Sequence, residues 1–152
     1  MNTKNKPKVL CTTTRLMRGG GVERTIELAV QELGDEFDFH VLSGVDVAYN
    51  PFENDPKVKL IVLEDMLHKI HPWYDLKAIW KMSRLIRKEK YDIVHTNETK
   101  ASLVSRLAAK LAGHKYVVYQ LHGVTFNDPM SSLRRSFLIN VEKFTVWAAD
   151  II

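Results

Sequence analysis

Short apolar runs alternate with amphipathic runs along this chain. Val9-Leu10-Cys11 sits in a first expected strand, 8–12. Val22, Ile26, Ala29, Val30 and Leu33 recur at helical spacing and predict a helix over 22–34, stopped by Gly34. Phe37 to Leu42 alternates as a strand, and 58–63 reads as another. Between them, 43–57 carries Gly44, Asn50, Pro51, Asn54 and Pro56 and reads as loop. A second loop with His68, His71 and Pro72 precedes a helix over 75–90. Its apolar positions are Leu76, Ile79, Trp80, Met82, Leu85 and Ile86; Lys77, Lys81, Arg84, Arg87, Lys88 and Lys90 make its other face. Strands over 91–96 and 115–121 flank a helix that Asn97 or Thr99 would cap and Gly113 would end. A helix over 132–149 follows, and 150–152 begins a further strand.

Strands alternating with helices predict a parallel sheet covered on both faces: an α/β, doubly wound, Rossmann-like fold. In such sheets ligands bind beyond the carboxyl ends of the strands. That places three segments along one edge: the glycine-rich turn after the first strand, the residues after His95, and the loop from His122.

The glycine-rich turn is the strongest chemical signal. Gly19-Gly20-Gly21 lies between the first strand and the first helix. Glycines let backbone N–H groups approach a phosphate, and the helix presents its positive end to it. Arg18 and Arg24 add cations. A tight turn without a ligand is the alternative. A nicotinamide fingerprint would need a third glycine where Arg24 stands. No Gly-Lys-Ser or Gly-Lys-Thr completes a P-loop, and no G-x-S-x-G elbow is present. His68 and His71 have no third ligand in spacing, and no Asp-x-Asp occurs, so no metal is expected.

Bulk properties narrow the partners. The 152 residues are one domain's length and 45% hydrophobic. Net charge is +4, a mild basic bias. The single Cys11 forms no internal disulfide, and no run reaches the roughly 20 apolar residues that span a bilayer. A cytoplasmic protein is expected. The basic face of the helix over 75–90, with Lys77, Lys81, Arg84 and Lys88 beside Tyr74 and Trp80, is either a solvated face or a site for an anionic membrane surface. No nucleic-acid recognition motif or stacking platform is visible.

Gly19-Gly-Gly-Val-Glu23, Tyr91-Asp-Ile-Val-His-Thr96, Leu121-His-Gly-Val124 and Ala149-Asp-Ile-Ile152 occur in that order. Together they make the chain resemble the amino-terminal domain of glycosyltransferase family 4 enzymes with the GT-B fold, from about Lys8 onward. The resemblance implies one half of a two-domain architecture. This half would hold a glycan or lipid-linked acceptor, and a carboxyl-terminal domain would hold the nucleotide-sugar donor. It further implies a retaining, metal-independent transferase of bacterial surface polysaccharide or glycolipid synthesis, peripheral at the inner face of the membrane and inactive as this half alone. Gly19, Gly20 and Gly21 would face the donor phosphates, and His122 would lie near the reacting sugar. Glu23, Arg24, His95, Asn97, Glu98, Gly123, Asn127 and Asp128 would line the acceptor cleft. Structural roles stand beside these: Glu23 at a helix start, His95 satisfied in the sheet, Asn97 as an N-cap, Asn127 and Asp128 in a turn. Gly20→Asp is expected to cut turnover while leaving the fold stable. A GT-B nucleotide-sugar epimerase and a stand-alone phospholigand-binding module are the alternatives.

Overall fold

The computed structural model of the chain describes residues 6–122 and 129–152. β1 (Lys8–Thr12), β3 (Asp38–Ser43), β5 (Lys59–Val62), β6 (Ile93–Asn97) and β7 (Val117–Gln120) form one parallel sheet, in the order β5-β3-β1-β6-β7. The helices are α1 (Gly21–Leu33), α2 (Pro72–Glu89), α3 (Thr99–Ala112) and α4 (Ser132–Thr145). This is the expected doubly wound α/β fold.

Alternation along β1 explains the layers. Val9 and Cys11 face α1 and pack with Ile26, Val30, Phe39 and Val41. Leu10 faces the opposite side and joins Leu42, Ala78, Met82, Ile86, Val94 and Val104, a core shared with α2 and α3. β1 lies between β3 and β6, so the winding direction reverses at β1 and opens a crevice at its carboxyl end.

Several boundaries differ from expectation for local reasons. The second helix starts at Pro72, not Asp75, because proline is pre-organised for a first helical position and needs no N–H there. The span 43–57 is not all loop: β4 (Asp46–Val47) pairs in parallel with β2 (Arg15–Leu16) as a two-stranded ribbon. The last expected helix ends at Thr145 and tightens into a 3-10 turn, Val146–Ala148. Ile151 then bridges Val118 in parallel at the sheet edge. On α2, Leu76 and Trp80 do not join the core; they are 60% and 53% exposed. Among the described residues no helix is long and apolar enough to cross a membrane.

Candidate functional site

The crevice at the β1 end holds a pocket of about 270 Å³ lined by Thr13, Arg15, Arg18, the three glycines, Glu23 and Glu98 among others. The chain leaves β1 through Thr13 and Thr14, passes through β2, and enters α1 over the glycine turn. Each glycine has a different relation to that turn. Gly19 has φ +79°, the left-handed region that favours glycine. A Cβ on Gly20 would stand 1.9 Å from Glu23 Oε2. A Cβ on Gly21 would meet nothing within 4 Å. Gly20 caps α1 without a side-chain bond, so the first-turn N–H groups have no side-chain partner from the cap.

The two carboxylates brace this turn. Glu23, only 5% exposed, folds back so that Met17 N–H donates to its Oε1 at 2.7 Å. Glu98 Oε1 accepts from the Thr14 backbone N–H and from the Thr13 hydroxyl at 3.2 Å. Glu98 makes these bonds with φ +53° and ψ 161°, outside the ordinary backbone regions for an L-residue and costing on the order of 1–3 kcal/mol. It occupies the N-cap position of α3 without a side-chain cap bond, so neither Asn97 nor Thr99 caps that helix. Asn97 is fully buried instead. Its Nδ2 donates to Thr12 O at 3.3 Å, and its Oδ1 lies 2.8 Å from His122 Nε2.

That pairing sets the His122 ring. With Nδ2 given to a carbonyl, Oδ1 must accept, so His122 carries its proton on Nε2 and its lone pair on Nδ1. Burial holds the His122 pKa below its ordinary value, with Glu98 and Glu23 pulling weakly the other way, so the ring is neutral at pH 7. His95 has a different position. The Cys11 thiol lies 3.6 Å from its Nδ1, and its Nε2–H donates to Gln120 Oε1 at 2.9 Å. Both ring nitrogens are engaged within the sheet, and burial lowers this pKa too. Cys11 is fully buried and its thiol is pushed up to about 12.

The structure therefore brings Gly19–Gly21, Glu23, Glu98, Asn97 and His122 to the crevice edge and holds His95 within the sheet. Arg24 points outward and pairs with Glu27 at 3.2 Å; the fourth position of α1 turns it away from the pocket. The pocket's cations are Arg18, held 5.2 Å over the Tyr49 ring, and Arg15, which the sequence reading missed. Arg15 lies on the two-residue β2, too short for any periodicity to announce. Gly123, Asn127 and Asp128 lie outside the described residues. Gly20→Asp is not a clean probe, because any side chain there displaces Glu23. Among the described residues no group of three or more His, Cys, Asp or Glu could hold a metal ion.

Of the four helix cations expected at a membrane, Lys81 is taken by Asp65. Lys77 sits 5.5 Å from both the Trp73 and Tyr74 rings, and Arg84 sits 4.7 Å over Trp80. Lys88 is exposed. The loop before α2 is tied to the crevice: His68 Nδ1 and Thr14 Oγ1 share a hydrogen bond of 2.9 Å. Lys100, at the start of α3, donates to the carbonyls of Leu67 and Lys69. It also pairs with Asp75 at 2.8 Å, an ion pair not aligned as a hydrogen bond.

The model of Glycosyltransferase Family 4 matches residues 19–152. A UDP-Gal:alpha-D-GlcNAc-diphosphoundecaprenol alpha-1,3-galactosyltransferase of Escherichia coli is 30% identical over 131 residues, which is 85% of this chain and 33% of that enzyme. Among solved structures, a sucrose-phosphate synthase from Thermosynechococcus elongatus superposes with TM-score 0.71 at 13% identity, over 95% of this chain and 41% of that one. The apo form of the lipopolysaccharide outer core galactosyltransferase WaaB gives TM-score 0.62 at 13% identity, over 88% and 37%. The chain thus spans 33% to 41% of the length of these relatives.

Proposed function

This chain belongs to Glycosyltransferase Family 4, and from that membership we propose that it is the acceptor-side domain of a retaining, metal-independent transferase that uses a nucleotide-sugar donor. Its acceptor is a diphospholipid-linked sugar of the kind named for the Escherichia coli relative, and its setting is bacterial surface glycan assembly at the inner face of the membrane. The donor binds on a carboxyl-terminal domain across the crevice, and this half alone supports little or no transfer.

One observation carries the reading. At the switch point of the sheet, an uncapped helix start, a glycine turn and two arginines border a pocket next to a neutral histidine. The backbone N–H groups of Gly19 to Gly21, with Arg15 and Arg18, balance charge on a departing diphosphate. His122 offers Nδ1 to a sugar hydroxyl, and Asn97 holds the ring in the tautomer that leaves Nδ1 open as an acceptor. Glu23 and Glu98 keep the turn in place and are positioning residues.

Amide chemical-shift mapping with pyrophosphate and, separately, with a short-chain prenyl-diphosphate-linked N-acetylglucosamine, both in excess EDTA, tests this. Saturable shifts are expected at Gly19–Gly21 with pyrophosphate and at Glu98 and His122 with the linked sugar. Shifts absent there, or confined to the amino-terminal end of the sheet around Lys8 and Asp92, refute it.

A further inference from the structure

The loop between β5 and α2 is fastened to the crevice by its backbone as well as its side chains. Asp65 and Met66 are buried. A Cβ on Gly44 would collide with the carbonyl oxygens of Thr14 and Met66, so this loop and the exits of β1 and β3 pack backbone against backbone. The Lys100 side chain is only 10% exposed and spends its ammonium here: it donates to the carbonyls of Leu67 and Lys69 and pairs with Asp75 at 2.8 Å. Those two carbonyls flank His68. The His68 residue is exposed, yet its Nδ1 is joined to Thr14 Oγ1 at 2.9 Å, and Thr14 gives its N–H to Glu98. Among the described residues Nε2 of His68 has no hydrogen-bond partner. His68 follows β5 and His122 follows β7, the two edge strands, so the two rings approach the crevice from its two sides.

We propose that His68 is an acceptor-binding residue that donates from Nε2 to the acceptor's own diphosphate, with Lys69 and His71 beside it. The inference rests on the proposed function, in which the acceptor carries a diphosphate next to the sugar that His122 holds. The surroundings suit an anion. His68, Lys69 and His71 are exposed, and residues 67–71 include no carboxylate. The acids of the flanking turns are engaged: Asp65 with Lys81, and Asp75 with Lys100 and the His71 N–H. The Thr14 hydroxyl can donate to Nδ1 or accept from it, so Nε2 can carry a proton whether the ring is neutral or charged. A hydrogen bond from that N–H to a phosphate oxygen is charge-assisted and directional. Lys100 touches no ligand in this arrangement; it is a positioning residue that fixes the peptide groups on either side of the ring. The donor's diphosphate goes to the glycine turn, so the crevice separates the two diphosphates by side.

Side-chain nitrogen NMR of the whole chain tests this, with three probes: the short-chain prenyl-diphosphate-linked N-acetylglucosamine, pyrophosphate, and a short alkyl N-acetylglucosaminide that lacks the diphosphate. The linked sugar is expected to shift His68 Nε2 toward the protonated, hydrogen-bonded form, and the alkyl glycoside to leave it in place. His68→Ala should weaken the linked sugar about tenfold, the worth of one charge-assisted bond, without weakening the alkyl glycoside. His68 is exposed, so its melting temperature should hold. His68→Gln, whose amide N–H can reach the place of Nε2, should recover part of the loss. Lys100→Met keeps the ring but frees its loop; it should weaken the linked sugar while Gly19–Gly21 still respond to pyrophosphate. If the linked sugar shifts Glu98 and His122 but leaves His68 unmoved, or if His68→Ala binds it unchanged, the inference fails and the transferase reading stands. If pyrophosphate alone moves His68 as far as the linked sugar does, the assignment to the acceptor's diphosphate is overturned. No response at Glu98 and His122 in the unaltered chain removes the proposed function, and this inference with it.

Discussion

Gly20 and Glu23 compete for one volume, and the competition can be measured. A Cβ at position 20 would lie 1.9 Å from Glu23 Oε2 and 2.7 Å from Cδ. Carboxylate and methyl cannot both stay, and the carboxylate is the flexible partner. In Gly20→Ala it must swing out, losing the 2.7 Å bond from Met17 N–H. A hydrogen bond to a charged group is worth about 1.5–3 kcal/mol. The loss of backbone freedom in the unfolded chain returns about 0.4–1 kcal/mol. The net expectation is a destabilisation of about 1–2 kcal/mol, a fall of several degrees in melting temperature for a domain of this size. Glu23→Ala alone should cost a similar amount. Once Glu23 is gone, Gly20→Ala meets no obstruction, so the double variant should be no worse than Glu23→Ala. Urea unfolding of the four proteins gives the coupling directly, and about 1.5–3 kcal/mol is expected, the hydrogen bond that both single changes remove. Additive effects would refute the account of the turn. Gly21→Ala is the control: its Cβ has open space, so stability should hold or rise by a few tenths of a kcal/mol.

Gly21→Ala should nonetheless weaken acceptor or diphosphate binding, because the open space beside it is where a ligand would approach; unchanged affinity by titration calorimetry would remove the glycine turn from the site. His40, His95, His114 and His122 all have pKa values lowered chiefly by burial, so the unfolded chain takes up protons first as pH drops below about 6.5. Stability from these groups is present above that pH and is lost as pH falls through the folded values; urea midpoints equal at pH 7 and pH 5 would contradict it. Arg106 has no exposed side chain and donates to Glu142 Oε1 at 3.0 Å and to Ser102 O at 3.3 Å. Glu142→Ala strands that cation and should cost about 3 kcal/mol, whereas Arg106→Met should cost less; the reverse order in thermal melts would be inconsistent with a buried ion pair.

The sheet, its helices and the position of the crevice were legible because each depends on short-range pattern. Val9, Ile26 and Val94 are read correctly by period alone, and the rule that ligands bind beyond the carboxyl ends of the strands is enough to set the glycine turn at the crevice. What was missed is long-range or too short to carry a period. Arg15 reaches the pocket through a two-residue strand that exists only by pairing with Asp46 and Val47. Arg24 looked equivalent to Arg18, but helical rotation sends it outward to Glu27. Asn97 resembles an N-cap by composition, yet its partners are Thr12 and His122, distant in sequence. Leu76 and Trp80 fit the apolar period of α2 yet stay exposed, because a periodic stripe does not say how much of itself the neighbouring sheet covers. Glu98 was legible as a cleft residue after the strand that ends at His95, but its positive φ and its bonds to Thr13 and Thr14 across the crevice carry no sequence signal.

Cys11 gives the fold a built-in clock. The only thiol in the chain lies in the central strand, fully buried, its proton held so firmly that the reactive thiolate is all but absent in the closed state. A disulfide reagent can therefore modify the native protein only during openings that separate β1 from its neighbours, and the labelling rate counts those openings. A ligand that clasps the turn beyond β1 would slow the count without touching the sulfur.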